Sequence, residues 1–140
     1  SMGYAVPAAV AAKIVYPKRT VVSVNGDGCF MMLGQEMATA IQYKLNPIFI
    51  VVNNSMLATI RMHQERSYPG RVIGTNLINP DFTALAKAYG AYSETSKKTE
   101  YFSGAFDRAV QSGKCSLLEV FVEPKAITPS LEIGKNIGLI

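Results

Sequence analysis

Two short segments of this chain carry residue types suited to metal and phosphate chemistry. Gly26-Asp27-Gly28 follows one apolar run, and Asn53-Asn54 follows another. The Asp27 carboxylate and the Asn54 carboxamide both offer hard oxygens. With a backbone carbonyl, water and phosphate oxygens they would complete an octahedral Mg²⁺ site. The glycines beside Asp27 allow backbone N–H groups to approach a phosphate closely. A helix opening a few residues later would make the place resemble a helix-mouth anion site. Either segment alone is an ordinary turn sequence. The pair, each placed at the end of an apolar run, is far more specific.

The elements that must position them alternate in type. Residues 6–16 are Ala-rich, with Pro7 near the start and Pro17 after the end, which are helix start and stop signals. Residues 21–25 read as a short strand. Residues 33–44 read as a helix whose Leu33, Met37 and Ile41 share one face. Residues 47–53 form a nearly unbroken apolar strand, the pattern of a strand covered on both faces in a parallel sheet. Asn79-Pro80 opens a helix through Tyr89, with Asn79 as cap and Gly90 as stop. Residues 91–95 make a short strand. Residues 99–112 make a helix with Phe102, Phe106, Ala109 and Val110 inward, closed by Gly113. Residues 117–122 are the last strand, and the tail from Pro124 reads as irregular or packed on a partner. Strands alternating with helices predict an α/β three-layer sandwich with a mostly parallel central sheet. Ligands of such sheets sit beyond the carboxyl ends of the strands, where Asp27 and Asn54 stand.

Composition bounds the setting. The 140 residues, 49% of them hydrophobic, suffice for one domain. Only 17% are charged, which hints at surface covered by a partner and fits a slightly apolar monomer equally well. The net charge of +4 is scattered, with no basic stripe interleaved with aromatics, so nucleic acid is not an expected partner. Two cysteines without a pairing motif fit a reducing cytosol. No apolar run approaches the roughly 18 residues that span a bilayer, and the start lacks a signal-peptide pattern. The expectation is a cytoplasmic protein with no membrane contact.

The same residues carry a family resemblance. Gly26-Asp27-Gly28 followed by Asn53-Asn54 resembles the thiamine diphosphate (ThDP)-binding motif, which begins with Gly-Asp-Gly and ends with Asn-Asn. The stretch between them, CFMMLGQEMATAIQYKLNPIFIVVNN, is similar throughout, and so is the upstream MGYAVPAAVAAKIVYP. The likeness is strongest from Met2 to about Gly90, and points to the C-terminal, diphosphate-binding domain of acetolactate synthase-like or benzaldehyde lyase-like enzymes. It implies Asp27, Asn54 and the Met56 carbonyl as Mg²⁺ ligands. It places Gly26, Gly28 and Cys29 at the diphosphate, with the backbone N–H of Cys29 mattering more than its thiol. Met2 falls where the family sets a large apolar residue under the bent cofactor, and Leu57 begins the segment, residues 57–72, that would cap the cofactor or line the substrate side. His63, Arg61, Arg66 and Arg71 in that segment read as a solvated face at least as readily as substrate contacts.

The implied reaction is decarboxylation of a small 2-oxo acid, joining of the resulting acyl carbanion to a second carbonyl compound, or both. Its cofactors are ThDP and Mg²⁺, with FAD in some relatives through a middle domain. The glutamate that serves the aminopyrimidine belongs to a pyrimidine-binding domain of the same or a second chain, so the full enzyme is expected to be a homodimer or homotetramer. Neither Glu36 nor Glu65 matches its motif. The chain also lacks the opening strand and loop of family domains, so it reads as N-terminally truncated and inactive alone. Two alternatives remain beside this: one subunit of a split ThDP decarboxylase, and a non-catalytic interaction or regulatory module retaining the fold. A dinucleotide-binding domain is disfavoured because no G-x-G-x-x-G follows the first strand.

Overall fold

The computed structural model describes residues 1–128 and 131–133; the remainder of the tail lies outside the described residues. Four parallel strands form the central sheet: β1 (Val22–Gly26), β2 (Ile48–Asn53), β3 (Tyr92–Ser96) and β4 (Ser116–Phe121), in the order β1-β2-β4-β3. The apolar run of residues 47–53 becomes β2, flanked by β1 and β4 and buried along nearly its whole length, as an unbroken apolar pattern requires.

Helices cover both faces. Phe49 and Val51 of β2 and Leu117 of β4 pack against α1 (Ala5–Val15), α2 (Asp27–Leu33), α3 (Met37–Gln42) and α5 (Phe82–Ala88), through residues such as Val6, Phe30, Met37 and Phe82. Ile48, Ile50 and Leu118 point the other way, onto Ala105 and Ala109 of α6 (Thr99–Gln111). Each fully buried Phe or Leu in these layers contributes roughly 1.5–3 kcal/mol. The three-layer α/β sandwich is therefore present, and its central sheet is wholly parallel.

Several local expectations are corrected. The helix expected over residues 33–44 begins at Asp27 and is broken: α2 ends at Leu33, a 3-10 turn takes Gly34–Glu36, and α3 follows. The break has a packing cause. A Cβ on Gly34 would lie 2.7 Å from the Phe30 ring, so the chain folds tightly over that ring. Phe30 in turn meets Phe82 edge-on, with centroids 5.6 Å apart. The turn takes Leu33 off the buried face, leaving it 36% exposed.

The helix expected from Asn79 starts at Phe82, and its cap is Asp81, whose Oδ1 accepts the Ala84 N–H at 2.8 Å. That bond and the Thr83 hydroxyl hold the Asp81 carboxyl below the ordinary carboxylate value. Val110 is 44% exposed, not inward, because Ala105 and Ala109 form the buried face of α6. A further helix, α4 (Ala58–Ser67), has no buried residue. In the tail, β5 (Ala126–Thr128) and β6 (Leu131–Glu132) pair antiparallel where irregular chain was expected. Gly90 does close its helix, with φ of +88°. Cys115 is buried, which pushes its thiol up to about 12. Among the described residues no helix is long and apolar enough to cross a membrane.

Candidate functional site

The register of β1 on β2 brings the two strand ends together. Gly26 pairs with Val52, so the residues that follow each strand emerge side by side. They open into a cleft of about 390 Å³. The residues that the resemblance assigns to the metal and the cofactor line it: Met2, Gly26, Asp27, Gly28, Cys29, Asn54, Met56 and Leu57. Val52, Ala58, Thr59 and Ile60 complete the wall. Ala58, Thr59 and Ile60 belong to the segment 57–72 expected to cap the cofactor or line the substrate side; Val52 was not foreseen, because it joins the cleft only through the pairing of β2 with β1.

Asp27 is the first residue of α2 and is 3% exposed. Three hydrogen bonds fix its carboxylate. Its Oδ1 accepts the Gly28 N–H at 2.9 Å. Its Oδ2 accepts the Ser55 N–H at 2.8 Å and the Asn79 side-chain amide at 2.8 Å. A carboxylate offers about four lone-pair sites. Oδ2 is therefore saturated, and Oδ1 keeps one site for a further ligand.

The loop after β2 is held differently. Ser55 takes φ of +56°, a left-handed conformation uncommon outside glycine. Its N–H is pinned by Asp27 Oδ2 and also by Asn53 Oδ1 at 3.0 Å. Residues 55–57 then run antiparallel to 75–77: Leu77 N–H donates to Ser55 O and Leu57 N–H to Thr75 O, both at 2.8 Å. Met56 faces Asn76 in the non-hydrogen-bonded position between those bonds, which leaves the Met56 carbonyl free of the ladder. Asn54 Oδ1 accepts the Met56 N–H at 3.1 Å, an Asx-type turn.

Gly28 lines the cleft but is itself buried, with apolar side chains close over its Cα. A Cβ there would stand 2.6 Å from Leu57 Cδ2 and 3.3 Å from Leu77 Cδ1, with the Met2 methyl 3.9 Å away. The N–H groups of a helix's first turn lack intrahelical partners. That of Gly28 turns back on Asp27, which leaves those of Asp27 and Cys29.

A carboxylate, a carboxamide and a free backbone carbonyl are all hard oxygen donors. One carboxylate with neutral oxygens is the kind of set Mg²⁺ takes when phosphate completes its shell. Among the described residues no group of three or more His, Cys, Asp or Glu could hold a metal ion, so the donor set of this cleft does not suit zinc. The basic residues of residues 57–72 are engaged elsewhere. Arg61 pairs with Glu65 at 2.9 Å, Arg66 with His63 at 2.8 Å, and Arg71 lies over the Tyr68 ring. Glu36 accepts the Thr39 hydroxyl at 2.8 Å and does not line the cleft.

Comparison with known proteins fits this geometry. Residues 1–120 match the model of the thiamine pyrophosphate enzyme C-terminal TPP binding domain. The chain belongs to that family, as the diphosphate-binding domain of thiamine diphosphate enzymes. It is 34% identical over 124 residues to an acetolactate synthase of Arthrospira platensis, covering 87% of this chain and 21% of that protein. It is 37% identical over 143 residues to the acetolactate synthase large subunit of Corynebacterium glutamicum, covering 97% of this chain and 23% of that protein. Among solved structures it is similar to the thiamine diphosphate-dependent 4-hydroxybenzoylformate decarboxylase of Rhodococcus jostii RHA1, with a TM-score of 0.82 at 30% identity, covering 87% of this chain and 23% of that one. The chain thus spans less than a quarter of these relatives.

Proposed function

We propose that the cleft holds the diphosphate end of ThDP together with Mg²⁺, as part of an enzyme that decarboxylates 2-oxo acids or joins their acyl unit to a second carbonyl compound. One observation carries the reading: Asp27, Asn54 and Met56, whose carbonyl is free of the ladder, line one cleft together with Gly28 and Cys29 of the first turn of α2. In this reading Asp27 and Asn54 bind the metal through side-chain oxygens, and Met56 through its carbonyl. The Cys29 N–H would offer the phosphate a hydrogen-bond donor. Met2, Leu57 and Ile60 give the cleft an apolar wall that would shield the cofactor from water.

When bound, ThDP supplies a nucleophilic thiazolium carbon and an electron sink for carbon–carbon bond cleavage and formation. The chain's own part is to anchor and orient. Asp27 is the one acidic residue lining the cleft, and its carboxylate is committed to three hydrogen bonds. As the family resemblance implies, proton transfer at the pyrimidine end would fall to a glutamate of a pyrimidine-binding domain, from the same or a second chain, in a homodimer or homotetramer. The acetolactate synthase relatives favour a small 2-oxo acid as substrate.

Calorimetric titration of ThDP with and without Mg²⁺ tests this. Binding is expected to require Mg²⁺ and to weaken about a hundredfold or more in Asp27→Ala, since losing one partner of a desolvated charge pair costs roughly 2–5 kcal/mol. Equal binding without Mg²⁺, or unchanged affinity in Asp27→Ala, would overturn it.

A further inference from the structure

Behind the cleft, polar side chains connect the carboxyl ends of all four strands. Asn79 Nδ2 has two hydrogens and spends both, one on Asp27 Oδ2 at 2.8 Å and one on Asn53 Oδ1 at 2.9 Å. The Asn53 amide Nδ2 donates to Glu119 Oε1 at 2.8 Å, and Glu119 Oε2 accepts the Thr95 hydroxyl at 3.1 Å. Asp27 follows β1, Asn53 ends β2, Glu119 lies on β4 and Thr95 on β3. The chain of bonds therefore runs in the spatial order of the sheet.

Glu119 is the anomaly. It is 5% exposed, and neutral donors alone, Asn53 and Thr95, are recorded against its carboxylate. A buried carboxylate is costly to hold. Its geometry suggests what it does. An Asn side chain can present oxygen or nitrogen to either side. Glu119 accepts only, so it forces Asn53 to turn its NH₂ toward β4 and its oxygen toward Asn79 and Ser55. With Asn53 flipped, NH₂ would face the Asn79 NH₂ and the Ser55 N–H, and carbonyl would face carboxylate. Fixing Asn53 in turn fixes Asn79 as a donor to Asp27.

We propose that Asn79 is a positioning residue for the Asp27 carboxylate, and that Glu119 sets the orientation of Asn79 through Asn53. The role rests on the metal-site reading above. By saturating Oδ2, Asn79 and the Ser55 N–H leave Asp27 one free site, on Oδ1, and so present the carboxylate to a metal through one oxygen in one direction. Residues that orient metal ligands in this way typically change metal affinity by about 10–100-fold when removed.

The test is ThDP calorimetry across a Mg²⁺ series, on the intact protein that carries this chain. Asn79→Ala and Glu119→Leu are expected to raise the Mg²⁺ concentration for half-maximal ThDP binding by about 10–100-fold. At saturating Mg²⁺ their ThDP affinity is expected to return to the parent value, a split that general loss of structure would not give. Glu119→Gln keeps an acceptor for Asn53 and is expected to restore the parent Mg²⁺ dependence. Asn79→Ser keeps one donor, is expected to lose less than Asn79→Ala, and carries the test should Asn79→Ala not fold. Parental Mg²⁺ dependence in Asn79→Ala and Glu119→Leu overturns the positioning role, as does a loss that Mg²⁺ does not repair. If Asp27→Ala itself binds like the parent, the metal-site reading fails; if only Asp27→Ala is impaired, the positioning role alone fails.

Discussion

The loops after β1 and β2 meet at the same cleft but are built on opposite plans. After β1 the chain passes directly into α2, and Asp27 is set by the helix and by bonds from three other residues. After β2 it makes an irregular loop through a left-handed Ser55, held to residues 75–77 by two backbone hydrogen bonds. Asp27 is buried and over-determined. Asn54 is half-buried, and the recorded bond to its side chain comes from its own loop. A charged ligand needs rigid support, because an unpaired carboxylate in a desolvated cleft is costly. A neutral one can be supported locally.

Substitutions at four positions probe the contrast. Asp27→Ala is expected to give the largest loss, at least about a hundredfold in ThDP affinity by calorimetry. Gly28→Val comes next. Its side chain would collide with Leu57 and Leu77, costing about 1–3 kcal/mol in thermal or denaturant unfolding and filling the cleft where ThDP would lie. Ser55→Val is expected to cost about 1–3 kcal/mol in the urea midpoint, because a β-branched residue resists positive φ, whereas Ser55→Gly should stay near the parent. Asn54→Ala removes a local turn bond and, on the proposed metal site, would remove one neutral ligand. Its expected cost is about 0.5–1.5 kcal/mol, at most roughly tenfold in ThDP affinity. An Asn54→Ala loss as deep as that of Asp27→Ala would erase the contrast.

What the sequence showed, and what it hid, follows from the range of each interaction. β2 was plain because an unbroken apolar run has few other uses. The meeting of Asp27 with Asn54 was also legible, since parallel pairing of two adjacent strands is the default. The start of α2 was not: Gly-Asp-Gly reads as loop, although Asp27 is a helix residue. Asn79 looked like a cap because Asn-Pro is a generic helix opening, and Asp81 two residues later competes for the same role. Its bond to Asp27 joins residues 52 apart, and no local pattern encodes that. α4 escaped because it buries nothing and so has no apolar stripe to announce it.

The contact between Gly34 and Phe30 has a consequence for how this chain can vary over generations. Any side chain at position 34 meets the ring, so position 30 would have to shrink first. Shrinking Phe30 alone opens a void under Phe82, at roughly 3–5 kcal/mol for Phe→Ala. Each single step is disfavoured, and only a paired change could pass. The break between α2 and α3 is thus locked against gradual drift, and the helix that begins with Asp27 inherits a fixed length.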